Sequence, residues 1–334
     1  MSIAAIRAAL LVVTLGLAAC AQQQQFTGYT CIGWGAANCT PTQVPGEIFA
    51  KEDARGLPLV ILVHTSGGVT SELRENARRI SQQGYVVLIL SHYAARSIRE
   101  SHTAYAQAVS MGANARTMTL DILSAMNGLR EDPRIDVSRT VVVGFSAGSI
   151  TGHWLNSLQF ASAHAPVIPQ PTTLPRAVIA MYGCPAEFDE RMSIRGLPHH
   201  FVVGSLDSQL DNCRIYDRMM KERGHTHTDL LVIPNAHHSF DAPYYLQNWP
   251  ANEEVRRCFA IMHRDGSATN PHTQKTYRHY TYAALMADCV TRGEVAGNNG
   301  DRWVGFEPMM RLIRRYTDAT TAPRENNLRL PGNI

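Results

Sequence analysis

The chain has 334 residues, 45% of them hydrophobic and 18% charged, which supplies enough apolar material for a sizeable core and argues against a disordered chain. That length fits one large α/β domain or two small ones. The formal net charge of +3 is small and evenly spread, so nothing in the charge balance points to a nucleic-acid partner.

Arg7 is the lone charge before an apolar run, Ala8 to Ala19, that is too short to span a bilayer as a mature helix. The pattern is that of a signal peptide over residues 1–19. Its end, Leu17-Ala18-Ala19-Cys20, resembles the bacterial lipobox. That resemblance implies lipidation of Cys20 and anchoring of an exported protein to a membrane, facing the periplasm or the exterior. Ala21 after the cysteine, in place of Asp, favours the outer membrane under enterobacterial sorting rules. Ala19-Cys20-Ala21 also fits an ordinary Ala-x-Ala cleavage site. With Cys20 set aside, the seven cysteines reduce to an even set: Cys31, Cys39, Cys184, Cys213, Cys258 and Cys289. An even set in an exported chain suggests disulfides. Proximity in the chain favours Cys31–Cys39, Cys184–Cys213 and Cys258–Cys289, out of roughly fifteen possible pairings. Ala21 to Thr27 is Gln-rich with no core-forming pattern, and predicts a polar tether spanning 20–45 ahead of a single domain over 46–334.

From Leu57 onward, short apolar runs alternate with amphipathic stretches, the pattern of a mostly parallel central sheet flanked by helices. The strand candidates are Leu57–Val63, Tyr85–Leu90, Thr140–Val143, Ala177–Met181, His200–Val203 and Asp229–Ile233. Most are rich in Val, Ile and Leu with little alternation, as strands buried on both faces are. Thr70 or Ser71 caps a predicted helix that ends at Gly84, with Leu73, Ala77 and Ile80 on one face. A longer helix is expected over Ala104–Leu129, and a third carries Cys213, Tyr216 and Met220 before Gly224. The proline-rich stretch Ala161–Pro175 reads as a loop placed to wall a pocket. From about residue 242 an extension with Trp249, Tyr277, Tyr280, Tyr282 and Trp303 reads as decoration on the main domain, with a helix near Pro308–Asp318.

Between the strand at Thr140–Val143 and a helix-compatible stretch, Ile150 to Phe160, lies Gly144-Phe145-Ser146-Ala147-Gly148. A Gly-x-Ser-x-Gly pentapeptide in that setting is a nucleophile elbow: a tight turn projects the serine, and glycines let strand and helix approach. An activated serine needs a base, and the base an orienting acid. Gly204-Ser205-Leu206-Asp207 follows one strand and Asn235-Ala236-His237-His238-Ser239-Phe240-Asp241 the next. Asp207 and His238 are therefore the acid and base candidates. His237 is an alternative base, and Asp211 or Asp189 an alternative acid. His225-x-His227 and His199-His200 lack any accompanying metal-ligand framework, so neither a metal nor another cofactor is expected.

Over roughly Leu57 to Asp241 the chain resembles α/β-hydrolases of the dienelactone-hydrolase-like branch, through the elbow, the Gly-x-x-Asp ending in Asp207 and the His238-Ser239-Phe240 triplet. The stretch Leu129-Arg130-Glu131-Asp132-Pro133-Arg134-Ile135-Asp136 before the elbow strand adds to the likeness. The resemblance implies Ser146, Asp207 and His238 as catalytic residues of a serine hydrolase acting on a small-molecule ester or lactone. It also implies an oxyanion hole from the backbone N–H groups of Ala147 and of Ser66 or Thr65, in the loop His64-Thr65-Ser66-Gly67-Gly68. Three departures stand out: Ser146 where the namesake enzymes use cysteine, Ser149 where a second glycine is common, and His64-Thr65 where many relatives have His-Gly. Two other activities fit the same fold: a prolyl-oligopeptidase-like peptidase, and a non-catalytic lipoprotein that keeps the fold as a binding module.

Overall fold

The computed structural model describes residues 21–100, 105–170 and 172–318. The signal peptide and Cys20 lie outside the described residues. The elements run β1 (Ala21–Cys31), β2 (Cys39–Phe49), β3 (Leu57–Val63), α1 (Ser71–Gln82), β4 (Val86–Leu90), α2 (Tyr105–Ser110), α3 (Ala115–Gly128) and β5 (Ile135–Phe145). After the elbow come α4 (Thr151–Asn156), α5 (Leu158–Ala163), β6 (Ala177–Met181), β7 (Glu187–Asp189), β8 (His199–Gly204), α6 (Leu210–Glu222) and β9 (Thr228–Ile233). The rest is β10 (Gln247–Glu254), β11 (Ala260–Met262), β12 (Ala268–Thr269), β13 (Thr276–Tyr277), α7 (Tyr282–Cys289), β14 (Thr291–Ala296) and α8 (Phe306–Thr317).

Eight strands form the central sheet in the order β1-β2-β4-β3-β5-β6-β8-β9. From β4 through β9 neighbours pair parallel, while β1, β2 and β4 pair antiparallel. The apolar runs explain why both faces are covered. Along β3, Leu59, Ile61 and Val63 enter the core that holds α3, whereas Val60 and Leu62 enter the core that holds α1 and α8. Thr70 caps α1 by accepting from the Leu73 N–H at 3.3 Å. No described helix is long and apolar enough to cross a membrane.

Three expectations need correcting. The tether is a strand: β1 pairs with β2 from Ala21↔Phe49 to Cys31↔Cys39. On this edge strand Phe26 and Cys31 point inward while most of the glutamines stay in water, so the segment carries too few apolar residues to read as a strand. The helix expected over 104–129 is broken. Gly112 adopts φ +82°, and Asn114 starts α3 in a capping box with Thr117. The stretch 150–160 is likewise split at Ser157, which caps Phe160. There Asn156 leaves the helix axis to bond the Leu197 backbone at 2.9 and 3.1 Å.

The extension is more ordered than decoration. β11, β12 and β13 join β7 in a four-stranded sheet, and β10 pairs with β14. From α8, Met309, Met310 and Ile313 complete one face of the central core. The six cysteines among the described residues pair as Cys31–Cys39, Cys184–Cys213 and Cys258–Cys289. The last of these closes a 31-residue separation within the extension.

Candidate active site

The elbow is held by three features of its sequence. Ser146 sits at φ +50°, the left-handed region, where a non-glycine residue costs roughly 1–2 kcal/mol. A Cβ at Gly148 would stand 2.5 Å from the Val63 carbonyl oxygen, so only glycine lets the turn lie against the end of β3. Ser149, a departure from the family pattern, uses its buried hydroxyl to donate to the carbonyls of Gly144 at 2.8 Å and Met181 at 3.1 Å. That hydroxyl ties the turn to the ends of β5 and β6. The first turn after Ser146 is a 3-10 turn over Ser146–Ile150. Ala147 is its second residue, where an N–H has no partner within the helix.

The three residues selected from the sequence meet here. Ser146 Oγ lies 3.0 Å from His238 Nε2, and His238 Nδ1 lies 3.2 Å from both oxygens of Asp207. A carboxylate only accepts, so Nδ1 carries the proton and Nε2 is left to face the serine. Asp207 and His238 are buried, at 4% and 6% exposure, so their interaction is little screened by solvent. The alternatives lie elsewhere. Asp211 pairs with Arg214 and Asp189 with Arg191. His237 has its Nδ1 buried without a partner and makes no hydrogen bond to Ser146 among the described residues.

The loop after β3 sits beside the elbow. Gly68 N–H donates to the Thr65 carbonyl at 3.1 Å, and Tyr93 Oη donates to the Ser66 carbonyl at 3.0 Å. His64 Nδ1–H donates to the Thr65 carbonyl at 2.7 Å. Burial, reinforced by His92, pushes the His64 imidazole down to about 3, so it stays neutral. These contacts engage the carbonyls of Thr65 and Ser66. The Ser66 N–H has no hydrogen-bond acceptor among the described residues, and Ser66 and Ala147 both keep partial contact with solvent.

Several functional neighbours had no sequence signal. Tyr182, at φ +41°, presses its ring edge on His238 with centroids 5.3 Å apart. It donates to Asp241 Oδ1 at 2.8 Å, and Asn76 donates to Asp241 Oδ2 at 3.1 Å. From β14, Glu294 Oε1 reaches 3.9 Å from His238 Nε2. The same segment clamps the base loop. Ala296 pairs with His238, the Gly297 N–H donates to the His238 carbonyl at 2.9 Å, and Asn298 Nδ2 donates to the carbonyls of Ala242 and Tyr244. The proline-rich loop expected to wall the pocket packs instead on the N-terminal hairpin, where His164 and Trp34 ring centroids are 5.4 Å apart.

Burial alone would lower the His238 pKa. Glu294 first, then Asp207 and Asp241, outweigh it and lift the imidazole to about 9. Desolvation raises the Asp241 carboxyl, against the hydrogen bonds from Tyr182 and Asn76. The one group of potential metal ligands within reach of one another among the described residues, Cys31, Cys39 and His164, includes both cysteines of a disulfide.

No curated protein matches the chain. Among solved structures, a putative dienelactone hydrolase from Klebsiella pneumoniae is 18% identical, with a TM-score of 0.47 over 66% of this chain and 89% of that one. A dienelactone hydrolase-like promiscuous phosphotriesterase, P91, from metagenomic libraries is 19% identical, with a TM-score of 0.47 over 67% and 85%. An esterase from Thermogutta terrifontis, Est2, is 14% identical, with a TM-score of 0.43 over 59% and 80%. The sequence profile of the dienelactone hydrolase family matches residues 44–258, most of the central sheet with its elbow, acid and base, and the chain therefore belongs to that hydrolase family.

Proposed function

We propose that this hydrolase cleaves a carboxylic ester or lactone through an acyl-enzyme on Ser146. The observation that carries the reading is the continuous relay from Ser146 Oγ to His238 Nε2 at 3.0 Å and from His238 Nδ1 to Asp207 at 3.2 Å. His238 Nε2 takes the Ser146 proton as Oγ attacks the carbonyl carbon. Asp207 holds the imidazole in the right tautomer and stabilises the imidazolium. The oxyanion is received by the N–H groups of Ala147 and of Ser66 or Thr65, each worth about 3 kcal/mol in the transition state. The imidazolium returns its proton to the departing alkoxide. Water, deprotonated by the same nitrogen, then releases the acid and regenerates Ser146.

A panel of aryl esters of increasing acyl length, run beside lactones and aryl amides, tests this reading. Ester or lactone turnover that falls by about four orders of magnitude or more in Ser146→Ala supports it. Cleavage of amides without esters would assign a peptidase. Near-normal ester rates in purified Ser146→Ala would remove the serine from the mechanism.

We also propose that the chain is exported and lipid-anchored at Cys20. Its cysteine pairing suits an oxidising compartment. Because β1 begins at Ala21, such an anchor would hold the sheet edge close to the membrane surface. The intact mass of protein extracted from membranes should show a diacylglyceryl group on Cys20. A mature chain recovered without lipid would refute the anchor.

A further inference from the structure

Glu294 occupies the side of the catalytic pair that the triad leaves open. Its Oε1 is 3.9 Å from His238 Nε2, the nitrogen that faces Ser146, whereas Asp207 sits on Nδ1. Strand register puts it there. Glu294 pairs with Trp249 across β10–β14, and two residues later Ala296 pairs with His238. Glu294 is only 9% exposed, and its carboxylate accepts no hydrogen bond among the described residues. Its oxygens keep some contact with water, so a nearby positive charge acts on them through partial screening. The charges acting on the neighbouring tyrosines have the same sign, although Arg302 acts on Asp241. Glu72, Asp241 and Glu294 all act on Tyr244, and Glu72 and Asp241 act on Tyr182. The Tyr244 ring meets Trp249 edge-on with centroids 5.3 Å apart. Carboxylates beside aromatic rings favour a cation and oppose an anion.

Resting on the hydrolase reading above, we propose that Glu294 is the specificity-determining residue of the Ser146 site: it admits esters with an ammonium group near the scissile carbonyl and repels those with a carboxylate there. An arriving cation competes with the His238 imidazolium for Glu294, so substrate binding itself releases the imidazole toward its role as base. An arriving anion meets Glu294 at short range in a partly desolvated site, where repulsion is strong.

The same carboxylate sets the ionisation of the base. His238 is faced by Ser146 from the elbow, Tyr182 from the loop after β6, Asp207 from the loop after β8, Asp241 from its own loop and Glu294 from β14. Among the charges that raise its pKa, that of Glu294 acts most strongly, while Asp207 adds a hydrogen bond to its own charge. Neutralising Glu294 therefore moves the acid limb of the rate profile to lower pH.

The test uses p-nitrophenyl esters of equal chain length ending in trimethylammonium, methyl or carboxylate, with wild-type protein, Glu294→Gln and Glu294→Asp. Wild type should rank them cationic, neutral, anionic in kcat/KM. Glu294→Gln should shrink the cationic-to-anionic ratio by about tenfold or more, the scale of one charge under partial screening. Its acid limb should also move down, while Glu294→Asp keeps the ranking. A wild-type enzyme that shows no preference for the cationic over the anionic ester overturns the assignment. So does a Glu294→Gln variant that leaves both the ratio and the acid limb in place. Turnover that survives Ser146→Ala would instead sink the hydrolase reading. Turnover abolished by Ser146→Ala with a flat charge series sinks only the role of Glu294.

Discussion

The sheet from β3 to β9 and the extension over 242–318 reach the active site in different ways. The sheet delivers its residues at strand ends: Ser146 after β5, Asp207 after β8 and His238 after β9. The extension supplies no member of the triad. It grips the base loop from outside through Ala296, Gly297 and Asn298, and sets Glu294 against the working nitrogen of His238. The sheet thus builds the relay, and the extension sets the position and charge of one member of it. Chemistry and tuning draw on separate parts of the chain, coupled through the base loop that the extension grips.

The largest effects should come from the sheet side. Asp207→Asn keeps the shape of the acid but not its charge, and leaves the imidazole free to adopt the wrong tautomer. Steady-state kinetics should show kcat down by about 10⁴ with little change in melting temperature. A drop of only a few-fold would mean that another group orients His238. Replacing the Cys258–Cys289 pair with serines acts on the extension alone. It should cost roughly 3–4 kcal/mol by denaturant unfolding, from the freed loop entropy, and leave the Asp207 relay intact.

Next in size is the pH dependence. With the His238 pKa lifted to about 9, only the small neutral fraction works at pH 7, so kcat/KM should rise roughly fiftyfold by pH 9. Stability moves the opposite way. A histidine whose folded pKa exceeds its unfolded value of about 6.5 contributes stability that is full below that value. The contribution is lost as pH rises through about 9, and thermal melts across that window should record it. A rate profile already flat above pH 7 would contradict the lifted pKa. The smallest effect belongs to Asn298→Ala, which strips hydrogen bonds from the carbonyls of Ala242 and Tyr244. It should cost about 1–3 kcal/mol and lower kcat by loosening the base loop. Equal stability with unchanged kcat would show that the clamp is idle.

Legibility in the sequence divides along the same line. β3 and β6 read to the residue, because strands buried on both faces must be apolar throughout. Ser146, Asp207 and His238 were legible because strand ends and chain order constrain them. β1 was not, since an edge strand needs only alternate inward residues and Phe26 is its one large apolar residue facing in. The break in the helix before β5 had its signal in Gly112 and Asn114, outweighed by the helical periodicity on either side. Glu294 had no local signal at all. Its place depends on the β10–β14 register and on the Ala296–His238 bridge, which are long-range pairings that no short motif encodes.

The most direct test of the relay is labelling with a fluorophosphonate probe, followed by peptide mapping at pH 9. A single adduct on Ser146, lost in His238→Gln, is the result this account predicts. An unlabelled protein, or an adduct on any other serine, would contradict it.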